Sequence, residues 1–384
     1  MRVGCNLLWL VPGSVGGSET AAVGLLRQLA ADRPDDVELV LYGLEPFGRA
    51  YPDLMAAFPT HLAPLTGRVK GLRVMAENTW LGRQTGDDLD LMHHMGGVLP
   101  VRPGDPCILT LHDLQPFDLP ENFGTAKRFY LQRSIPRSVR RARMVVTASE
   151  YVRRGVIDRF GVAPERVRVT RWGVERPSSE VSVAEVQARY RLPRRWFVYP
   201  SFTWWHKDHI LLVQAFAPIA AREHDVMLVL TGGEGPAEQA VADQVRRLGL
   251  TDRVRRTGLI PRRDVMAIVR GSVAMTYPSR YEGFGLPVLE AMGVGAPVLA
   301  ADATSLPELV DDAGTLVPAE DPDAWSAAMF AALADGGESE RMIANGRARA
   351  AEYTWEAVAT QTVAAYRDVA KAARDDIDDD GVAS

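Results

Sequence analysis

The stretch Tyr277-Pro-Ser-Arg-Tyr-Glu-Gly-Phe-Gly-Leu-Pro-Val-Leu-Glu-Ala-Met-Gly-Val-Gly-Ala-Pro297 decides the fold. It leaves a strand-like run, Val273 to Tyr277, turns through Gly283 and Gly285, and enters a helix with Pro287 near its first position, where a missing N–H costs nothing. A strand, a glycine turn and a helix start aim free backbone N–H groups and the positive end of a helix dipole at one point, and a phosphate suits that point. Glu282 and Glu290 flank the turn. Carboxylates repel phosphate, so their work is to accept hydrogen bonds from hydroxyls beside it, as on a ribose or another sugar.

Glu282 and Glu290, with seven residues between them and wrapped around Gly283-Phe-Gly-Leu-Pro287, resemble the E-x7-E signature of retaining GT-B glycosyltransferases, glycosyltransferase family 4 above all. A buried strand-to-helix turn whose acids only cap the helix is the alternative. The whole string and its neighbours favour the functional reading. The resemblance implies an α/β GT-B fold, two Rossmann-like domains facing a central cleft. It also implies transfer of a sugar from a nucleoside diphosphate to an acceptor hydroxyl with retention of configuration.

At 384 residues the chain suits two domains of moderate size. Its net charge of −5 provides no overall basic field to recruit nucleic acid. Cys5 and Cys107 lie far apart, form no metal or redox spacing, and read as small buried hydrophobes in a reducing compartment. Met1 to Pro12 is apolar but lacks a basic leader and a small-residue cleavage site, so it reads as a first buried strand. No apolar run is long enough to span a bilayer, and a cytoplasmic protein is expected.

Strand-like runs at Val3 to Trp9, Val37 to Tyr42, Leu89 to His93, Cys107 to Leu111 and Met144 to Ala148 alternate with helix-like runs, which predicts a parallel sheet covered by helices. After a polar stretch, Arg176 to Val183, the pattern restarts. Further strands are expected at Trp196 to Tyr199, Met227 to Leu230, Val254 to Thr257, Val273 to Tyr277, Pro297 to Ala300 and Thr315 to Val317. Two α/β domains are therefore expected, over 1–175 and 184–359, and the resemblance implies that the N-terminal one binds the acceptor and the C-terminal one the donor. The resemblance implies that the helix over about 360–373 packs back on the first domain. The acidic stretch 374–384 follows no apolar pattern and is expected to be disordered.

Lys207, in Tyr199-Pro-Ser-Phe-Thr-Trp-Trp-His-Lys-Asp-His209, sits at a strand-to-helix junction and can neutralise a leaving diphosphate as a point charge. The family places such a lysine here, often with an arginine about five residues earlier. This chain has Phe202 there, leaving Lys207 with less help. By the resemblance, Lys207 and the N–H groups of Phe284, Gly285 and Leu286 stabilise the diphosphate as its charge develops, without a divalent metal and with no cofactor beyond the nucleotide-sugar co-substrate. No dedicated nucleophile stands beside the expected anomeric carbon, which favours a front-face mechanism. Asp88-Leu-Asp90 and Asp376-Ile-Asp378 imitate a metal-binding D-x-D motif. The first opens a strand and the second lies in the acidic tail, so both read as structural or incidental.

Gly16 and Gly17 join the first strand to the first helix without the G-x-G-x-x-G order of a nicotinamide binder. The family sets such a loop against the donor phosphates or the acceptor. His112, in Leu109-Thr-Leu-His-Asp-Leu-Gln115, resembles the family's catalytic-loop histidine, which contacts the transferred sugar or orients the acceptor. His93 and His94 at another strand end either line the acceptor site or are structural, and alone they make no metal site. Gly232 and Gly233, and Leu259 after Gly258, correspond to loops that close over the nucleobase and ribose; either loop could equally be a simple turn. Lys127, Arg128, Arg133, Arg137, Arg140, Arg141 and Arg143 crowd one segment. They form a solvated helix face or dock an anionic membrane or a phosphorylated acceptor, and the basic and apolar mix of residues 66–83 leaves peripheral membrane contact open. The expected acceptor is a glycan, a glycolipid or a small molecule. A sugar-nucleotide epimerase of the same shape and a catalytically silent nucleotide-sugar binder are the rivals, and the joint presence of Lys207, Glu282 and Glu290 speaks against the second.

Overall fold

The computed structural model describes residues 1–14, 16–85, 88–175, 181–334 and 336–382, the last six by backbone alone. Two compact units emerge: Met1–Gly173 with the chain from Thr354 onward, and Val174–Tyr353. Most of the stretch expected as a linker, residues 176–180, lies outside the described residues.

The first unit is built on β1 (Arg2–Asn6), β2 (Glu38–Leu44), β3 (Thr60–Ala63), β4 (Leu91–His94), β5 (Cys107–Leu111), β6 (Met144–Thr147) and β7 (Val167–Val169). They pair in the order β3-β2-β1-β4-β5-β6-β7, every pairing parallel. The second unit uses β8 (Arg195–Pro200), β9 (Val226–Thr231), β10 (Val254–Gly258), β11 (Ala274–Tyr277), β12 (Val298–Asp302) and β13 (Thr315–Pro318) in the order β10-β9-β8-β11-β12-β13, again all parallel. Inner strands such as Cys107–Leu111 and Ala274–Tyr277 are buried at every position, as sheets covered by helices on both faces require. The strand order reverses at β1/β4 and at β8/β11, and in open α/β sheets ligands bind outside the carboxyl ends of the strands at such switch points.

Helix boundaries follow local chemistry. Ser149 caps the helix Glu150–Phe160 by accepting the Val152 N–H at 3.2 Å, and Gly161 ends that helix in the left-handed region. Ser182 and Glu185 form a reciprocal capping box at the start of Val183–Tyr190.

Two short strands were not anticipated: β3 and β7 occupy the two edges of the first sheet, where four and three residues carry too little pattern to stand out. The C-terminal helix, Trp355–Val382, packs on the first unit from its first residue, with Val358, Val363, Tyr366 and Val369 in one core with Val3, Leu26 and Ile108. Gly24 and Gly173 are needed there, since a Cβ on either would stand 2.3 and 2.7 Å from Trp355. The acidic segment expected to be disordered instead continues this helix to Val382. Arg143 supplies the reason. It donates to the Ala372 carbonyl at 3.1 Å and pairs with Asp376 at 2.6 Å, while Arg374 reaches Asp90 at 3.5 Å. Counter-charge from a remote part of the chain stabilises an Asp-rich run that local propensity would leave unfolded. Among the described residues no helix is long and apolar enough to cross a membrane.

Candidate active site

In the second unit the Glu282 turn is clamped from below. Thr304 Oγ1 accepts the Glu282 N–H at 3.0 Å, and the Ser305 hydroxyl stands 3.0 Å from the carbonyls of both Glu282 and Phe284. Gly285 then takes φ +107°, and a Cβ there would lie 2.7 Å from Leu306, so only glycine can make the turn. The helix Leu286–Val294 follows with Pro287 in its first turn and no side-chain cap. Pro287 has no N–H and Val288 donates to the Gly285 carbonyl at 2.9 Å, so in the first turn it is the Leu286 N–H that has no intrahelical acceptor, and the helix dipole adds positive potential at the same point.

Lys207 arrives from β8. A short turn, Trp205–Lys207, leads to Asp208 at φ +48°, whose carboxylate caps the helix His209–Arg222 by accepting the Leu211 N–H at 3.3 Å. Tyr199 fixes the backbone by donating its hydroxyl to the Lys207 carbonyl at 2.7 Å. The Lys207 ammonium forms an ion pair with the Glu282 carboxylate and stands 3.3 Å from the Tyr277 hydroxyl. The two side chains are 16% and 12% exposed, so the pair is largely desolvated. Burial would raise the Glu282 pKa, but the Lys207 charge and hydrogen bonds from Lys207 and Ser279 hold it below the ordinary range. Glu282 stays ionised because its partner is fixed beside it.

Glu290, one face further along the helix, has its own cation. Arg262 Nη1 lies 2.8 Å from Glu290 Oε1, at the start of the helix Arg262–Arg270 that follows β10. Burial pushes the Glu290 carboxyl up, and Arg262 only partly opposes this. Arg262 was missed in the sequence. The available signal was an arginine after Pro261 at a helix start next to the Leu259 loop, but its partner sits 28 positions away.

The loop holding Gly232 and Gly233 packs against the loop after β8. A Cβ on Gly232 would stand 2.4 Å from the Ser201 carbonyl oxygen and one on Gly233 2.3 Å from the Phe202 ring. Thr203 locks the two loops by accepting the Gly235 N–H at 2.7 Å and donating to Glu238 at 2.7 Å. The glycines therefore permit close loop approach. Phe202 and Leu259 remain exposed at 40% and 73%, at the carboxyl ends of β8 and β10.

In the first unit Gly16, at φ +69°, precedes the helix Gly17–Asp32. Glu19 braces this loop by accepting the Gly13 N–H with both oxygens, at 3.0 and 2.9 Å. His112 directly follows β5, between the rings of Trp9 and Trp172. Its Nε2 faces the Met95 carbonyl at 2.8 Å and so must carry the proton. Burial lowers its pKa to about 4, against the raising effect of that carbonyl, so the ring is neutral near pH 7. Its Nδ1 is buried with no partner among the described residues, and the residue lines a cavity of about 40 Å³ with Thr170, His93 and Tyr366. His93 and His94 are structural: His93 bridges the Tyr366 and Thr110 hydroxyls at 2.8 and 2.7 Å, and His94 bridges Asn6 and the Pro103 carbonyl at 3.1 and 2.7 Å.

Asp90 accepts the Arg2 N–H at 2.7 Å and Asp88 pairs with the Arg2 guanidinium, so this D-x-D sequence pins β1. Asp376 pairs with Arg143, and the side chain of Asp378 lies outside the described residues. Thus Lys207, Glu282 and the Gly285 turn come together in one place, with Glu290 on the following helix, whereas Gly16, Gly17 and His112 belong to the other unit.

Comparison with known proteins gives a consistent result. The family described as Glycosyltransferase Family 4 matches residues 15–176, and that described as Glycosyl transferases group 1 matches residues 193–349. The O-antigen chain mannosyltransferase B of Escherichia coli is 32% identical over 267 residues, covering 68% of this chain and 70% of that protein. The MMP alpha-(1->4)-mannosyltransferase of Mycolicibacterium hassiacum is 29% identical over 335 residues, covering 81% and 76%. In fold, the chain resembles sucrose-phosphate synthase from Thermosynechococcus elongatus with a TM-score of 0.75 at 21% identity, covering 97% of this chain and 100% of that one. The two parallel-sheet domains are those of the GT-B class, both halves are matched in order, and the chain belongs to the group 1 glycosyltransferases of family 4 type.

Proposed function

We propose that this glycosyltransferase moves a hexosyl group, mannose first among the candidates, from a nucleoside diphosphate to a hydroxyl of a glycan, glycolipid or small-molecule acceptor. In this reading configuration is retained and no divalent metal is needed. The observation that carries the reading is the Lys207–Glu282 pair held against the Gly285 turn at a helix N-terminus. The choice of mannose rests on the two mannosyltransferase relatives.

As the sugar departs, negative charge grows on the diphosphate. Lys207 and the N–H groups of Gly285 and Leu286 stabilise that charge more strongly in the transition state than in the ground state. Lys207 must exchange part of its Glu282 contact for phosphate, which frees Glu282 to accept a sugar hydroxyl. Glu290, with Oε1 on Arg262, keeps Oε2 for a ribose hydroxyl. Phe202, Leu259 and the Gly232-Gly233 loop offer an apolar wall to the nucleobase. The leaving phosphate, rather than a protein carboxylate, takes the acceptor proton. His112 has its Nε2 proton committed to a carbonyl, so its part is to orient rather than to transfer a proton.

The acceptor falls to the first domain. There Leu72, Met75 and Phe129 stand exposed among cations, which supports peripheral contact with the inner membrane face of a cytoplasmic enzyme.

A panel of nucleotide sugars tests the donor by thermal stabilisation, since a ligand selective for the folded state raises apparent stability. Product anomeric configuration by NMR tests retention, and an inverted product would end that part of the proposal. Turnover should survive excess chelator; loss on chelation with recovery in magnesium or manganese would require a metal site.

A further inference from the structure

Lys207 ends a turn that is too short to hold itself. Trp205–Lys207 is three residues long, and Asp208 behind it takes φ +48°, a left-handed conformation that persists where the surroundings fix it. The turn's own backbone bonds are two: the Lys207 N–H donates to the Trp204 carbonyl at 3.0 Å and the Asp208 N–H to the Trp205 carbonyl at 3.2 Å. Where the Lys207 ammonium lies therefore depends on what grips the turn from outside.

Arg280 grips it at three consecutive carbonyl and carboxylate groups. Its backbone N–H donates to the His206 carbonyl at 2.8 Å, its Nη2 donates to the Trp205 carbonyl at 3.3 Å, and its Nε stands 3.4 Å from Asp208 Oδ2. Nη1 donates to Glu320, just after β13, at 3.0 Å, which fixes the plane of the guanidinium. Asp208 is engaged on both sides, since it caps the helix His209–Arg222 while the Arg280 charge opposes the rise that burial imposes on its carboxyl. Arg280 itself lies two residues before Glu282, on the segment that leaves β11. One short stretch thus carries the Glu282 carboxylate and fastens the turn of its partner lysine.

We propose that Arg280 is a positioning residue for the transfer reaction: it keeps Lys207 at the donor diphosphate by holding the Trp205–Asp208 turn, without touching the donor. This rests on the reading of Lys207 as the diphosphate ligand. When Lys207 exchanges part of its Glu282 contact for phosphate, the ion pair no longer tethers its ammonium, and the turn is then held by Arg280 together with the Tyr199 hydroxyl on the Lys207 carbonyl. A preorganised cation misplaced by about 1 Å loses much of its effect on developing charge. The influence of Arg280 must pass through Lys207, and this separates it from a general support of the fold.

The test is a double-mutant cycle on the full chain. GDP, UDP, dTDP and ADP are titrated by calorimetry into the parent, Arg280→Gln, Lys207→Ala and the double variant, with the corresponding monophosphates as probes that lack the outer phosphate. Arg280→Gln should weaken the bound diphosphate about tenfold, the scale of one charge-assisted contact, and leave monophosphate affinity within about threefold. In the Lys207→Ala background the same substitution should change diphosphate affinity by less than about twofold. Arg280→Lys keeps the charge but not the fork, so it should lose a smaller part of the same preference, and it takes the place of the glutamine variant if that one does not fold. Equal losses for diphosphate and monophosphate, or losses that add in the double variant, overturn the proposal, because Arg280 would then act on the fold or on the ligand directly. If none of the diphosphates binds the parent, or if Lys207→Ala binds one as well as the parent does, the donor reading fails and the proposal falls with it.

Discussion

The Glu282 turn and the strand ends around Arg73 handle charge in opposite ways. In the second domain each functional charge has a partner: Lys207 with Glu282, Arg262 with Glu290. The group is close to neutral before any ligand arrives, so donor phosphate must compete for a lysine that is already engaged. In the first domain Lys70, Arg73 and Lys127 form no ion pair among the described residues, and the buried Glu77 carboxyl beside Arg73 is pushed up to about 7. A self-neutralised site can be rigid and preorganised, whereas a carboxyl buried without full compensation is driven towards its protonated form.

The largest expected effect comes from breaking the paired site. Lys207→Ala should lower transfer by roughly 10²–10³-fold, the scale for losing one preorganised donor to developing charge. It should also cost about 3 kcal/mol of stability by leaving Glu282 buried and uncompensated. Adding Glu282→Gln should restore stability without activity. Steady-state kinetics and thermal melts on the three proteins decide it, and activity of the single variant within about threefold of the parent, under ~0.7 kcal/mol, would remove Lys207 from catalysis.

The same substitution should then act with opposite signs in the two regions. Glu77 binds its proton more tightly folded than unfolded, so it withdraws stability as pH rises from about 4.5 to about 7 and no further above that. Glu77→Gln should therefore stabilise the protein by about 2–3 kcal/mol at pH 8 and do little at pH 4. Glu282 has a lowered folded pKa, so its contribution is present above its unfolded pKa and is lost as pH falls through the folded one. Glu282→Gln should destabilise at pH 8 and become neutral in acid. Urea denaturation across pH reads both, and equal signs at pH 8 would break the contrast.

A smaller effect is expected at the turn. Gly285→Ala forces a side chain into φ +107° and against Leu306, at a cost of about 2 kcal/mol, with a matching loss of donor affinity. Unchanged melting would show that the turn is free to rearrange. The smallest concerns His112: His112→Ala should reduce transfer about tenfold while leaving nucleotide-sugar affinity within about threefold, because an orienting group contributes on the order of 1.4 kcal/mol to the transition state alone. Equal losses in calorimetry and product formation would put His112 on the donor.

Some of this was legible in the residues alone. All six strands of the second sheet, and five of the seven in the first, are legible in the sequence; the inner ones announce themselves as apolar runs between turn residues, because a strand covered on both faces is apolar throughout, while the edge strand β10 carries two arginines. Gly285 and Pro287 mark a turn and a helix start by their own backbone limits. Glu282 and Glu290 were singled out by spacing on that turn. The edge strands β3 and β7 escaped notice because they are too short for any period to show.

Local sequence thus specified which segments become strands and helices and where the phosphate-type turn lies, since period, capping and turn chemistry are properties of near neighbours. It could not specify who neutralises whom. Lys207 meets Glu282 across 75 positions, Arg143 holds the acidic end of the last helix from 229 positions away, and Arg73 reaches the Trp9 carbonyl across 64 positions. Such pairings exist only after crossover connections have brought the chain back to the same sheet edge. Coulomb energy depends on that distance and on the burial around it, neither of which is encoded at any single position.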